Sequence, residues 1–226
     1  MARAVRARGL RRAVAARARA GARRAAGRVA RRRRARVGAV RRASGRGTLD
    51  RMHATPQYRI RPAREDDVAK LPAIERAAAE RFRATDVAGA FLAETRSVDE
   101  LEAARRESRL WIAAGAGDEP VGFALATTLG EAPHLEELDV HPDHGRRGIG
   151  AALVGAVVVW ARARGAPALT LSTFAGVPWN APYYERLGFR ALDPAALPAP
   201  LVALREREAV HGLPVERRVV MRLALG

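Results

Sequence analysis

The residues between Leu138 and Leu153 have the types and spacing to hold a reactant. An apolar stretch ends at Val140, and His141-Pro142-Asp143-His144-Gly145-Arg146-Arg147-Gly148-Ile149-Gly150 then runs straight into a helical pattern. The first N–H groups of a helix lack intrahelical partners and lie at the positive end of its dipole. Gly148 and Gly150 put no side chain over those amides, so a diphosphate can reach them, and Arg146 and Arg147 add charge. The chemistry this predicts is anchorage of a pyrophosphate. A P-loop is excluded, because Gly-Lys-Ser/Thr is required where Gly150 is followed by Ala151. A dinucleotide fingerprint is excluded too. Leu153 stands where Gly or Ala is needed, no acid lies near 168–175 to hold a ribose, and no βαβ unit surrounds the loop. The alternative, a plain glycine turn, gives Gly, Ile and Gly at a first helical turn, flanked by arginines, little packing reason.

Other chemistries fall away by composition. The chain has no cysteine, which excludes disulfides, thiolate nucleophiles and thiolate metal sites. No Gly-x-Ser-x-Gly elbow is present. His141 and His144 are three apart in a loop without a carboxylate at ligand spacing, and His53 and His211 stand alone. With no His-Glu-x-x-His either, no metal site is expected.

The elements that must position the loop follow from periodicity. Tyr58–Pro62 alternates and stops at proline, as a short strand does. Asp66-Asp67 can cap a following helix, in which Val68, Leu71, Ile74, Ala77 and Ala78 recur at helical spacing up to Phe82. Ser97 with Glu100 is a capping-box signature for a second helix through Arg109. Leu110–Ala114, Val121–Leu129 and Leu135–Val140 read as an antiparallel meander. A helix then runs from the glycine loop to about Arg164, ended by Gly165 and Pro167. Ala168–Thr173 reads as a strand, Asn180–Leu187 as a short helix stopped by Gly188, and Phe189–Leu192 as a strand start. Leu201–His211 reads as a helix within a proline-marked connection, and Arg217–Leu225 as the closing strand.

The formal charge of +17 is not spread along the 226 residues. Residues 1–51 hold nineteen arginines and one acid, Asp50; the other 175 residues hold 22 basic and 23 acidic groups. Residues 1–57 are read as a disordered Arg/Ala-rich extension without the large apolar residues that offset ordering entropy. Three origins compete: a basic tail for nucleic acid or acidic surfaces, an organelle transit peptide, or upstream codons of a GC-rich genome read as protein, with Met52 the native start. The last agrees with one lysine, Lys70, among forty arginines. No apolar run reaches the roughly 18 residues of a membrane span, and no secretory signal is evident, so a cytoplasmic protein without membrane contact is expected.

Two segments resemble one known family. Val140-His141-Pro142 followed by Gly145–Gly150 resembles the acyl-CoA-binding loop of the GNAT superfamily, whose pattern is Gln/Arg-x-x-Gly-x-Gly/Ala. Asn180-Ala181-Pro182-Tyr183-Tyr184-Glu185-Arg186-Leu187-Gly188-Phe189 resembles its second signature, and Ile60–Asp67 its opening strand and helix start. The resemblance covers about 58–226. It implies one mixed α/β (α+β) domain whose mostly antiparallel sheet splays where acyl-CoA enters, flanked by helices. It departs at Gly145, where the family carries Gln or Arg. By the same resemblance Leu138, Asp139 and Val140 pair with the pantetheine arm. The amides of Arg146, Arg147, Gly148, Ile149, Gly150 and Ala151 hold the pyrophosphate, and Asn180 contacts the cofactor. Acetyl-CoA is then the co-substrate, and a small-molecule amine or a peptide or protein amine is the acceptor.

Transfer to an amine needs a neutral amine, a polarised thioester carbonyl and a proton for the departing thiolate. Without a cysteine or a serine elbow, direct attack by the acceptor is favoured. The base must lie near the acceptor, and Glu136, Glu137 and His134 precede the loop. Strict alternation puts His134 with Glu136 on one face and Glu137 with Asp139 on the other. The resemblance favours Glu136 as base and Tyr184 as general acid. Trp179, Phe174 and Pro178 could line an acceptor pocket or simply pack under a loop. A catalytically silent CoA-binding module and a nucleic-acid binder acting through the 1–51 tail are the other functional readings, and a homodimer is left open.

Overall fold

The structure is a computed structural model that describes residues 57–88 and 95–226. The expectations placed on residues 1–56, including the basic extension, lie outside the described residues.

The chain opens with β1 (Arg59–Pro62), α1 (Glu65–Val68) and α2 (Leu71–Ala79). One helical pattern is thus broken in two: Pro72 can stand only in a first turn, so α2 starts there afresh. Asp67 caps α1 from inside, at its third position, where its carboxylate accepts the Arg64 N–H at 2.7 Å and pairs with Arg61 at 2.6 Å. The helix α3 (Val98–Arg106) has the expected reciprocal cap, with Ser97 Oγ accepting the Glu100 N–H at 3.2 Å and Glu100 accepting the Ser97 N–H at 2.9 Å.

Strands β2 (Leu110–Ala114), β3 (Pro120–Leu129) and β4 (Ala132–Val140) form the meander. Helix α4 (Ile149–Ala163) carries the chain over to β5 (Ala168–Phe174). Then come α5 (Ala181–Arg186), the two-residue β6 (Arg190–Ala191), α6 (Ala199–Val210) and β7 (Arg218–Ala224). Among the described residues all seven strands lie in one sheet, ordered β1-β2-β3-β4-β5-β7-β6. Every neighbouring pair is antiparallel except β4 and β5, which α4 connects in parallel.

Each face of the sheet buries a separate core. On one, α4 sets Ile149, Leu153 and Val157 against Ala124, Leu135, Leu171 and Met221. On the other, Val68, Leu71, Ile74 and Leu101 of the first three helices cover Ile112, Phe123 and Leu125. Strand β2 is buried along its whole length because both faces are covered, and so it reads as a continuous apolar run. Leu153 is fully buried, and truncating such a side chain typically costs about 2–5 kcal/mol.

Candidate active site

The loop after β4 is built to aim its amides outward. Arg146 (φ 61°) and Gly148 (φ 78°) are both left-handed, a backbone form whose successive N–H groups make an anion-binding concavity. No atom lies within 4 Å of the place a Gly148 side chain would take, so conformation alone calls for glycine there. The N–H of Ala152 bonds Gly148 O at 3.0 Å as the first closed turn of α4, which leaves Ile149, Gly150 and Ala151 ahead of it. The Ile149 side chain is buried in the core, so only its backbone is offered.

The two loop arginines divide their work. Arg147 donates to Tyr58 Oη (2.8 Å) and to Asp143 O (3.2 Å), and Tyr58 Oη also bonds His144 Nδ1 (2.9 Å), which lashes the loop to the residue before β1. Arg146 is exposed and close enough to Arg81 to help depress its pKa, after burial. Two cations held together favour an anion between them. Gly150 has a second reason to be bare: a side chain there would meet Tyr183 Oη at 2.7 Å.

Strands β4 and β5 pair only at His134–Thr170 and Leu135–Leu171 and then part. The parting begins at an irregularity. Leu135 faces Ala126 and Glu137 faces Leu125, so Glu136 is an extra residue without a partner on β3, a β-bulge. A bulge bends its strand, and this one follows the last β4–β5 pair directly. It also corrects the strict alternation. Leu135, Leu138 and Val140 belong to the α4 face, whereas Glu137 and Asp139 lie opposite Leu125 and Phe123 on the other face. His134, opposite Thr127, shares that face with Glu137 and Asp139, and the unpaired Glu136 turns to the same Arg96 as Glu137.

Four carboxylates meet there. Arg96 reaches Glu136 at 2.8 Å and Glu137 at 3.6 Å, and its own N–H donates to Glu75 of α2 at 3.0 Å. Burial beside the β4–β5 opening, opposed by Arg96 and reinforced by Glu75 and Glu136, pushes Glu137 up to about 7. Asp139 is pushed well above the carboxylate range by burial and by Glu137, and its Oδ2 has no hydrogen-bond partner. Tyr184 is held above its ordinary value by burial, then by Tyr183, Glu137 and Asp139, so the phenol keeps its proton beside the two acids.

His134 is buried and bonds Thr170 Oγ1 through Nδ1 at 2.9 Å. Burial, then Arg218 and Arg207, press it down to about 4, so it is neutral near pH 7. The backbone oxygen of Asn180 accepts from Tyr183 N at 2.8 Å and Tyr184 N at 3.1 Å, while its side chain makes no capping bond. Phe82, Phe174 and Trp179 form an aromatic wall, with ring centroids 6.5 Å (Phe82–Phe174) and 5.8 Å (Phe82–Trp179) apart. Val177 joins this wall, whereas Pro178 is exposed. Arg218 of β7 sits over Phe174 at 4.9 Å and pairs with buried Glu208 at 2.9 Å. Glu75, Arg81, Arg96 and Arg218 carry no local motif and are not legible from sequence, whereas Tyr183 stands within the second signature with no role readable for it. Among the described residues no three His, Asp or Glu side chains are grouped as metal ligands.

A sheet opened between two parallel strands, with a left-handed glycine loop heading the helix that joins them, is the architecture of acyl-CoA N-acyltransferases. The acetyltransferase (GNAT) family profile matches residues 72–189, and the chain belongs to that family. The chain is 31% identical over 153 residues to the peptidyl-lysine N-acetyltransferase YjaB of Salmonella typhimurium, covering 64% of this chain and 95% of that protein. Its fold resembles N-acetylglutamate synthase from Neisseria gonorrhoeae, solved with coenzyme A and N-acetyl-glutamate (TM-score 0.59, 21% identity, 76% of this chain); the match spans 36% of that synthase. It also resembles the PaiA N-acetyltransferase of Thermoplasma acidophilum, solved with coenzyme A (TM-score 0.55, 15% identity, 74% of this chain and 98% of that one).

Proposed function

We propose that residues 58–226 form one N-acetyltransferase domain that moves an acetyl or other short acyl group from acyl-CoA to a primary amine by direct attack. The observation that carries this reading is the opening between β4 and β5, beside which Glu137, poised near neutrality, and the protonated Tyr184 lie within electrostatic reach of each other.

The residues present fit coenzyme A. The left-handed turn at Arg146 and Gly148 and the amides through Ala151 suit the pyrophosphate, with Arg146 and Arg81 as counter-charge and Arg147 fixing the loop. Leu138, Asp139 and Val140, unpaired toward β5, offer backbone groups to the pantetheine arm, and the Asn180 side chain, which makes no capping bond at the start of α5, is available for a cofactor contact. Bound acyl-CoA supplies the thioester. Glu137 takes the proton from the acceptor nitrogen, directly or through one water, because a base works best with a pKa near the working pH. Tyr184 protonates the departing sulfur. His134, neutral and tied to Thr170, serves the shape of β4. Glu136 is engaged with Arg96 at 2.8 Å, so Glu137 replaces it as the preferred base. The relative that acetylates peptidyl-lysine and the acid-lined cleft agree with a cationic amine as acceptor.

The test is free-thiol release from acetyl-CoA over a panel of small amines, amino acids and lysine peptides. Amine-dependent release that is lost in Glu137→Gln and Tyr184→Phe supports the reading. Tight coenzyme A binding without release on any amine would leave a silent binding module instead.

A further inference from the structure

Arg96 is held more firmly than a surface arginine needs to be. Its N–H is bonded to Glu75 of α2, and the next residue, Ser97, is locked by the reciprocal cap of α3. From this fixed base the side chain crosses to β4, where Nη2 meets Glu136 at 2.8 Å and Nε stands 3.6 Å from Glu137. Without the bulge, two successive strand residues would point to opposite faces. The extra residue is what lets one guanidinium touch both carboxylates.

We propose that Arg96 is a positioning residue for acyl transfer: by gripping Glu136 at the bulge it fixes Glu137 beside the β4–β5 opening and keeps that carboxylate available as the base. This rests on the reading of Glu137 as the base. The groups facing Glu137 come from four elements and one connecting segment: Glu75 of α2, Glu136 and Asp139 of β4, Tyr184 of α5, Arg218 of β7, and Arg96 before α3. Arg96 and Arg218 favour its charged form, and Glu75 and Glu136 oppose it. Removing Arg96 therefore drives the proton onto Glu137. Replacing Glu136 with Gln has the opposite effect, because a repelling charge disappears while the amide oxygen can still accept from Arg96.

The experiment measures kcat/KM against pH for the full chain and for Arg96→Met, Arg96→Lys and Glu136→Gln. In parallel, carboxylate carbons of glutamate-labelled protein are titrated by carbon-13 NMR, which needs no turnover. Arg96→Met is expected to move the acid limb and the Glu137 midpoint up by about one unit. Glu136→Gln is expected to move both down, and Arg96→Lys to stay near wild type. Thermal shift with acetyl-CoA should be the same in all four. Losses uniform across pH, or shifts of one sign in both charge variants, would overturn the proposal, since a merely structural arginine predicts that. If Arg96→Met does not fold, the downward shift in Glu136→Gln decides. A Glu137 midpoint that moves while the rate profile stays put overturns the proposal through the base assignment, whereas no amine-dependent rate in wild type removes the enzymatic reading itself.

Discussion

Glu137 and His134 share a face of the sheet yet respond to pH in opposite senses. A carboxyl near 7 in the folded chain, against 4.5 ordinarily, binds its proton more tightly when folded. Its stabilising contribution is complete below about pH 4.5 and is lost as pH rises through 7, while the rate needs the carboxylate and rises over the same window. Glu137→Gln should therefore lose about 10²-fold in kcat/KM at pH 8 and its acid limb, yet melt no lower there than wild type. His134 is depressed from 6.5 to about 4, so its contribution is present above pH 6.5 and lost as pH falls toward 4. Replacing it with Gln should flatten the acid-side drop in melting temperature by up to about 3 kcal/mol of linked stability. Tyr184→Phe should lower kcat by on the order of 10²-fold with KM for acetyl-CoA little changed. Steady-state kinetics and melts over pH 4–9 check all three.

At the scale of elements, α5 bears directly on the cofactor loop. A methyl at Gly150 would stand 2.7 Å from Tyr183 Oη but 3.6 Å from the ring carbon that carries it. Gly150→Ala should weaken acetyl-CoA binding severalfold, and adding Tyr183→Phe should restore most of it, a coupling visible only in the double-mutant cycle. The elements themselves were largely legible. The cap at Ser97, the meander, the glycine loop and the end of α4 stand where periodicity and turn residues put them. What escaped depends on partners far away in the chain. Nothing local says that Gly122 must be bare, yet a side chain there would lie 2.7 Å from Asp139 O of β4. The bulge at Glu136 is likewise invisible to a period-two reading, since only the register against β3 reveals an extra residue. Strict alternation therefore sets Glu136 rather than Glu137 beside His134, and no local pattern marks Arg96.

The whole molecule divides its duties between the two faces of the sheet. One face is an apolar core under α4, and the other carries the carboxylates, the Phe82–Phe174–Trp179 wall and Arg218. Among the described residues no helix is long and apolar enough to cross a membrane. Acetyl-CoA at a hundred times its dissociation constant should stabilise the fold by about 2.7 kcal/mol, read as a rise in melting temperature. The bulge has a consequence for engineering. Leu135 faces Ala126 and Glu137 faces Leu125, so excising Glu136 leaves an unbroken ladder with each remaining side chain on its present side. The shortened strand would be free to zip onto β5 past Leu171, sealing the slot like a closed purse. Such a deletant should melt at or above wild type and show no calorimetric heat with coenzyme A: sturdier, and idle.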